Sequence, residues 1–436
     1  MARNLWQRGA IACVVVATAS CLAVAPAASA EDDGQWYIKS YQINEFHAAG
    51  IDGAGVTVAV VDTAINLDVP QLHGANIQVK EPSQCYAPDG AEQSSVSDDP
   101  ALALHGTNMV SYIVGNGTGY PGQPGITGIA PKAKILFYSV RTQSGCVSKS
   151  GKTQPSDVWD EMVNDAIIDA TDNGADIISF SIEATNGYLD DSLLYAMKHG
   201  VIVVASLKNH DSEDLTANFD GVPVLNNGVI GVGAVGHDGN VPAGVDGQPS
   251  TSLNVDVVAP GMNILVQGSA TDWHAFSSGQ GTSMATPIAA GNIALAIQKY
   301  PGATHNQIIQ SLVRNTGSEP HPPDWDATLG FGVVDTISLL AADPTQYEDV
   351  NPLLAKEHVV HGPTWDQVMG TASASPSPSA SATATPTQSP VNPPTDSSSP
   401  AWLLFALLGG GVLLVIIIVA IVIVAMKSKH RETKGS

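Results

Sequence analysis

Residues 281–287, GTSMATP, give the strongest indication of the fold, and they run into an alanine-rich stretch that ends near Tyr300. The segment places Ser283 shortly after a glycine, at the start of a predicted helix. A hydroxyl there projects into solvent, and the first N–H groups of the helix are free to face a developing negative charge. Ser283 is therefore a candidate nucleophile, although serine is also favoured at helix starts for backbone reasons alone.

A serine nucleophile needs a base and a carboxylate that orients the base, and two upstream segments supply them. Residues 56–63, VTVAVVDT, predict a buried strand that ends at Asp62, and residues 104–107, LHGT, predict a helix that opens with His105. The chain order Asp, His, Ser is that of the subtilisin triad. Together the three segments indicate a serine peptidase.

Apolar, β-branched segments alternate along the chain with amphipathic ones. The predicted strands are 56–61, 135–140, 176–181, 201–205 and 229–235. The predicted helices are 105–114, 156–173, 191–199, 282–300 and 304–316. This alternation predicts an α/β fold, a doubly wound and mostly parallel sheet with helices on both faces. Ligands of such sheets bind at the carboxyl ends of the strands, where Asp62 and Asn209 fall.

These motifs resemble those of the subtilisin-like (subtilase) serine peptidases, over roughly residues 35–345. The resemblance implies a subtilisin-like fold in which Asp62, His105 and Ser283 form the triad and hydrolyse peptide bonds through an acyl-enzyme. Residues 200–209, GVIVVASLKN, resemble the strand that leads to the oxyanion donor. Asn209 and the N–H of Ser283 are therefore expected to form the oxyanion hole, and a peptide or protein is the expected substrate, with no cofactor.

Three residues depart from the family pattern. Ala64 and Lys208 stand where the family has glycine. Glu183 also replaces a glycine, the one that ends the substrate-binding segment, which here is Ser181-Ile182-Glu183. By resemblance, these three segment residues and Lys208 border the substrate pocket. An ion pair between Glu183 and Lys208 would narrow the pocket, whereas Glu183 alone would favour a basic substrate residue. The altered glycines also leave open a catalytically silent binding or scaffold protein with this fold.

The two ends of the chain predict export and anchoring. Residues 1–30 begin with Arg3 and Arg8, continue as an apolar run and end in Ala-Ser-Ala, as expected of a signal peptide; an N-terminal membrane anchor is the disfavoured alternative. Residues 401–426 carry no charge and are long enough to cross a bilayer. Four basic residues follow in 427–436, so we expect this tail to be cytoplasmic and the catalytic region to lie outside.

The regions between these ends complete the predicted organisation. The peptidase domain is 31–345, residues 346–370 form an extension of uncertain structure, and residues 371–400 form a Ser/Ala/Thr/Pro-rich linker. This layout is similar to that of the mycosins, membrane-anchored subtilases of type VII secretion, and to that of other anchored bacterial subtilases. The resemblance to the mycosins implies a partner in a secretion machine.

The exported part is strongly acidic. Without two arginines in residues 1–30, and without four basic residues and one glutamate in residues 427–436, the chain keeps 12 basic and 40 acidic residues, a net charge of −28. That balance argues against nucleic-acid binding. Asp98, Asp99 and residues 211–220 are acidic patches that could hold structural calcium, but a solvated acidic loop is the favoured interpretation, and no metal site is assigned.

Cysteine content points to one disulfide. Cys13 and Cys21 are lost with the signal peptide, which leaves Cys85 and Cys146 in an oxidising compartment. A bond between them is the economical prediction, and two unpaired buried cysteines are the alternative.

Overall fold

The computed structural model describes residues 33–140, 146–182, 189–209, 220–244, 247–355 and 362–370. The predicted signal peptide 1–30, linker 371–400, membrane span 401–426 and tail 427–436 lie outside the described residues, and so does Glu183. Within the described ranges, no helix combines the length and the apolar character needed to cross a membrane.

The strands are β1 (Thr57–Asp62), β2 (Ile77–Val79), β3 (Asn116–Thr118), β4 (Pro124–Thr127), β5 (Lys134–Ser139), β6 (Ile177–Phe180), β7 (Ile202–Ser206), β8 (Ile230–Val235), β9 (Val257–Pro260), β10 (Met262–Gln267) and β11 (Phe276–Gln280). Seven of them form one sheet in the order β2-β5-β1-β6-β7-β8-β9. Every neighbouring pair in that sheet is parallel. The pairs β3–β4 and β10–β11 are antiparallel.

The α-helices are α1 (Trp36–Ser40), α2 (Ile43–Ala48), α3 (Pro100–Val114), α4 (Pro155–Asp172), α5 (Asp190–Lys198), α6 (Thr282–Lys299), α7 (His305–Arg314), α8 (Thr336–Ala341) and α9 (Trp365–Met369). Alternate residues of β1 belong to different apolar cores: Val58 and Val60 pack with residues of α3 and α6, whereas Ala59 and Val61 pack with residues of α4 and α5. Helices therefore cover both faces of the parallel sheet, which confirms the predicted α/β class.

The five predicted strands are present, but the two edge strands of the parallel sheet and the separate pairs β3–β4 and β10–β11 were not predicted. The edge strand β2 is only three residues long, too short to give a periodic signal, and the four-residue edge strand β9 ends in a proline, which disfavours a strand. The hairpin β10–β11 is also new, since the exposed residues of β11 lack the apolar alternation of a half-buried strand.

The prediction that His105 opens a helix is wrong. Helix α3 begins five residues earlier, at Pro100, where the side chain of Asp99 accepts a hydrogen bond from the N–H of Ala101 at 2.9 Å. An aspartate cap followed by proline at the first helical position is a strong start signal. His105 consequently lies in the second turn, where the backbone is fully helical.

Residues 346–370 are partly described and pack on the peptidase unit. The N–H of Gly228 donates to the carbonyl of Leu353 at 3.1 Å, and the side chain of Gln310 donates to the carbonyl of Val350 at 3.0 Å. Helix α9 lies against α5. The boundaries that we assign to the domains and to this extension remain predictions.

Helix α6 is buried along most of its length, and small residues let it approach its neighbours closely. A Cβ added at Gly291 would lie 2.6 Å from the Cβ of Ile129, far inside the contact distance of two carbon atoms. The glycine is thus required by packing, although alanine has the higher helix propensity.

Gly291→Ala tests this packing. We expect it to lower the free energy of unfolding by about 1–3 kcal/mol, because overpacking outweighs the gain in propensity. Gly302→Ala is the matched control, since a Cβ there meets nothing within 4 Å. Chemical denaturation of the two variants would contradict the packing argument if Gly291→Ala were as stable as the control.

Candidate active site

The candidate site residues follow three neighbouring strands of the sheet. Asp62 ends β1, Ser181 comes directly after β6, and Asn209 follows the end of β7 by three residues. Because β1, β6 and β7 are adjacent and parallel, their carboxyl ends lie at one edge of the sheet. The fold therefore gathers residues that are distant in sequence where ligands of α/β sheets bind.

Asp62 and His105 form the central polar contact. Asp62 is fully buried, and its Oδ1 accepts hydrogen bonds from Nδ1 of His105 and from the N–H of Thr63, both at 2.7 Å. The side chain of His105 is 38% exposed. With Nδ1 donating to a carboxylate, the neutral ring keeps a lone pair on Nε2, which is the form that a general base needs.

The residues after Asp62 and His105 explain why the two segments meet. The hydroxyl of Thr63 accepts a hydrogen bond from the N–H of Gly106 at 3.0 Å. A Cβ at Gly106 would lie 2.6 Å from the carbonyl oxygen of Ala64. A larger residue than glycine would therefore push α3 away from the strand end and separate His105 from Asp62.

Asn108 stands where the family commonly has histidine after HGT, and the sequence predicted no role for it, but the structure gives it one. Its Nδ2 donates to the carbonyls of Leu104 and Gln267 at 2.8 and 3.0 Å, and its Oδ1 accepts from the N–H of Gln267 at 2.9 Å. This amide joins the helix that carries His105 to β10. Its signal in the sequence is a polar residue on the buried side of a helix.

Ser283 is joined to Ser181 by two hydrogen bonds. Its Oγ donates to the carbonyl of Ser181 at 3.2 Å, and the Oγ of Ser181 donates to the carbonyl of Ser283 at 2.8 Å. The second bond depends on Pro287, which lies four residues after Ser283 and has no N–H to offer to that carbonyl. The proline thereby leaves the Ser283 carbonyl available to Ser181.

Asn209 has a defined amide orientation. Its Oδ1 accepts a hydrogen bond from the N–H of Thr282 at 3.0 Å. A backbone N–H can only donate, so this contact assigns the oxygen of the amide and turns Nδ2 the other way. Thr282 is itself held, because its hydroxyl donates to the carbonyl of Leu207. Ser283, the second residue of α6, contributes an N–H that has no intrahelical acceptor.

The three departures from the family pattern have different outcomes. Ala64 is buried and is not among the described non-glycine residues with a positive φ, which are Gln42 and Asn263. Its backbone therefore does not require glycine. The N–H of Lys208 donates to Oδ1 of Asp220 at 2.9 Å. The pairing of Lys208 with Glu183 remains a prediction, because Glu183 lies outside the described residues.

Two clefts flank the turn that carries Ser283. One is lined by Lys208, Asn209 and Thr282, together with apolar residues of β8 and β9. The other is predominantly apolar and is lined by residues that include His105 and Met284. Asn209 therefore lines one cleft and His105 the other, and Ser283 lies in the chain between Thr282 of the first cleft and Met284 of the second. Ile182 is described and partly buried at the end of the segment that begins with Ser181.

Two further expectations concern cysteines and metals. The sulfur atoms of Cys85 and Cys146 are bonded, with Cα atoms 5.2 Å apart. In the part of the chain that the structure describes, no group of three or more His, Cys, Asp or Glu residues is placed to hold a metal ion. Asp99 acts as a helix cap there, and most of the second acidic patch lies outside the described residues.

Comparison with known proteins identifies relatives of the whole catalytic region. The sequence profile of the Subtilase family matches residues 53–332. Fervidolysin of Fervidobacterium pennivorans is 31% identical over 331 residues, which make up 71% of this chain and 44% of that protein. The major intracellular serine protease of Bacillus subtilis (strain 168) is 29% identical over 287 residues, 64% of this chain and 81% of that protein.

Solved structures agree on the fold. The structure of MycP1 from Mycobacterium smegmatis matches with a TM-score of 0.52 and 22% identity, covering 72% of this chain and 85% of that one. The mycosin resemblance is thus confirmed for the fold. The match to fervidolysin covers less than half of that protein's length.

The orientation of Asn209 leads to a prediction. We expect Asn209→Leu to lower kcat about 10²–10³-fold with little change in KM, which is the size of the loss measured when the equivalent donor is removed from subtilisin. Asn209→Asp is the discriminating control, because a carboxylate still accepts from Thr282 but cannot donate to an oxyanion. Steady-state kinetics in which Asn209→Asp restored activity would show that the residue only holds Thr282.

Proposed function

This chain belongs to the subtilase family, and on that premise we propose that it is an exported, membrane-anchored serine endopeptidase. It would hydrolyse peptide bonds of extracytoplasmic proteins through an acyl-enzyme. The observation that carries the proposed activity is the 2.7 Å hydrogen bond between Asp62 and His105. It lies at the edge of the sheet where Ser181 donates a hydrogen bond to the carbonyl of Ser283. Relatives named as serine proteases support the same activity.

In the proposed mechanism His105 removes the proton of Ser283 as the hydroxyl attacks the substrate carbonyl. Asp62 keeps the imidazole in the required tautomer and stabilises the imidazolium that forms. The oxyanion is stabilised by Nδ2 of Asn209 and by the N–H of Ser283. His105 then gives its proton to the leaving amine, and water releases the acyl group by the same steps.

The clefts on either side of Ser283 support a role in binding extended peptides. The cleft lined by His105 lies on the side where the leaving amine must receive its proton. Its predominantly apolar lining favours an apolar residue on that side of the cleaved bond. Lys208 and Asn209 line the other cleft. The hypothesis that Glu183 pairs with Lys208 would place a negative charge beside this positive one.

In this proposal the catalytic domain lies outside the cell. Residues 1–30 would direct export, residues 401–426 would span the membrane, and residues 427–436 would lie in the cytoplasm. The bond between Cys85 and Cys146 suits an oxidising compartment. A linker at residues 371–400, rich in proline and serine, would let the enzyme reach substrates above the membrane. A secretion machine is a suitable partner, in view of the fold shared with MycP1 of the ESX-1 type VII secretion system.

Active-site labelling tests the activity. The full-length chain in detergent should react with a fluorophosphonate probe, and Ser283→Ala should not, because only an activated serine attacks this phosphorus centre. His105→Ala should also lose labelling, by about 10⁴-fold or more, in line with the loss of turnover when a triad residue is removed from subtilisin. A folded wild-type protein that remained unlabelled would favour the catalytically silent scaffold instead.

Truncation tests the anchor. Removal of residues 401–436 should release the protein into the medium, whereas removal of residues 427–436 alone should leave it in the membrane fraction, because the apolar span supplies the anchoring free energy. Cell fractionation followed by immunoblotting measures the distribution. Retention of the protein that lacks residues 401–436 in the membrane fraction would contradict anchoring by residues 401–426.

A further inference from the structure

Ser139 lies beside Asp62 in the sheet. The strands β1 and β5 are parallel, and their register pairs Val58 with Ile135, Val60 with Phe137 and Asp62 with Ser139. The four apolar residues of the first two pairs all belong to the core on the α3 side of the sheet. Since side chains alternate along a strand, Asp62 and Ser139 also point to that side. Two short polar side chains thus stand next to each other under the helix that carries His105.

Both side chains are buried, and each has a polar atom without a partner. Asp62 is 0% exposed and Ser139 is 1% exposed. Oδ1 of Asp62 has two donors, His105 and Thr63. Oδ2 of Asp62 and Oγ of Ser139 have no hydrogen-bond partner among the described residues. Buried polar atoms are rarely left unpaired, and here an acceptor and a donor lie unpaired at one register position.

The register places Ser139 as a donor for Oδ2 of Asp62. Neighbouring strands lie about 4.8 Å apart, so rotation about the Cα–Cβ bond of Ser139 can carry its hydroxyl toward Asp62 without moving the backbone. The backbone at this position is fixed, because the carbonyl of Ser139 accepts from the N–H of Gln84 at 2.8 Å and from the hydroxyl of Ser83 at 3.1 Å. The N–H of Val140 donates to the carbonyl of Asp62 at 2.9 Å, which holds the two strand ends together.

We propose that Ser139 is a positioning residue of the catalytic site, whose hydroxyl donates to Oδ2 of Asp62. This inference rests on the proposed function. With Oδ1 bonded to His105 and Thr63 and Oδ2 bonded to Ser139, the carboxylate plane is fixed, and with it the direction of the imidazole. Ser139 lies beside Asp62 in the sheet, so its effect acts through Asp62 on the chemical step and not on binding.

The test measures the reaction of the full-length protein with a fluorophosphonate probe, resolved into the binding constant KI and the maximal rate kinact. Ser139→Ala should lower kinact about 10-fold at unchanged KI, well short of the loss expected for a triad residue, because a misdirected base slows only the chemical step. Ser179→Ala is the matched control. Ser179 is 1% exposed, lies on β6 and faces the same side of the sheet opposite Val60, and its variant should react like the wild type.

A second pair of variants separates the hydroxyl from packing. Ser139→Thr and Ser139→Val have nearly the same shape and differ in one hydroxyl group, so they should destabilise the protein similarly, whereas only the threonine should restore kinact. Equal kinact for the threonine and valine variants, or a wild-type kinact for Ser139→Ala, would overturn the inference while leaving the proposed function intact. A wild type that does not react at all would overturn both.

Discussion

Parallel pairing of β6, β1 and β5, with β7 beside β6, determines where the candidate catalytic residues meet. In a parallel sheet the strands end at the same edge, so Asp62, Ser139, Ser181 and Asn209 arrive there without any local sequence relation. Helices α3 and α6 then bring His105 and Ser283 to that edge. The register matters as much as the direction, because a shift by one residue would turn Asp62 to the opposite face of the sheet.

Much of the site follows from residues that hold the backbone in place. The hydroxyl of Thr63 accepts a hydrogen bond from the N–H of Gly106, and the N–H of Thr282 donates to the side chain of Asn209. The hydroxyl of Ser181 donates to the carbonyl of Ser283, which has no intrahelical donor because Pro287 lacks an N–H. Each contact joins two of the segments that carry the candidate site residues. The motifs around Asp62, His105 and Ser283 therefore dock these segments against one another as well as carrying the reactive groups.

The sequence predicted five of the seven strands of the parallel sheet and the main helices, because each has a local signal, an apolar β-branched run or a helix start. It singled out the candidate site residues because they are reactive residues in recognisable motifs. It did not predict the short strand β9 or the hairpin β10–β11, since their existence depends on neighbours in space. The Asn108–Gln267 pair spans 159 residues, and although Asn108 is recognisable as a polar residue on the buried side of a helix, no local pattern identifies its partner. The start of α3 could have been predicted, because Asp99 followed by Pro100 is a recognisable helix cap. The prediction instead began the helix at the histidine motif.

If the proposed function is right, Asp62, His105, Ser283 and Asn209 act as one unit on a peptide carbonyl. A crystal structure of the protein treated with a peptide aldehyde would examine all four residues at once. We expect a covalent bond from Oγ of Ser283 to the aldehyde carbon, with the resulting oxygen bonded to Nδ2 of Asn209 and to the N–H of Ser283. His105 should keep its bond to Asp62 in that adduct. An aldehyde bound without a bond to Ser283, or an adduct whose oxygen points away from Asn209, would show that these residues do not work together in this way.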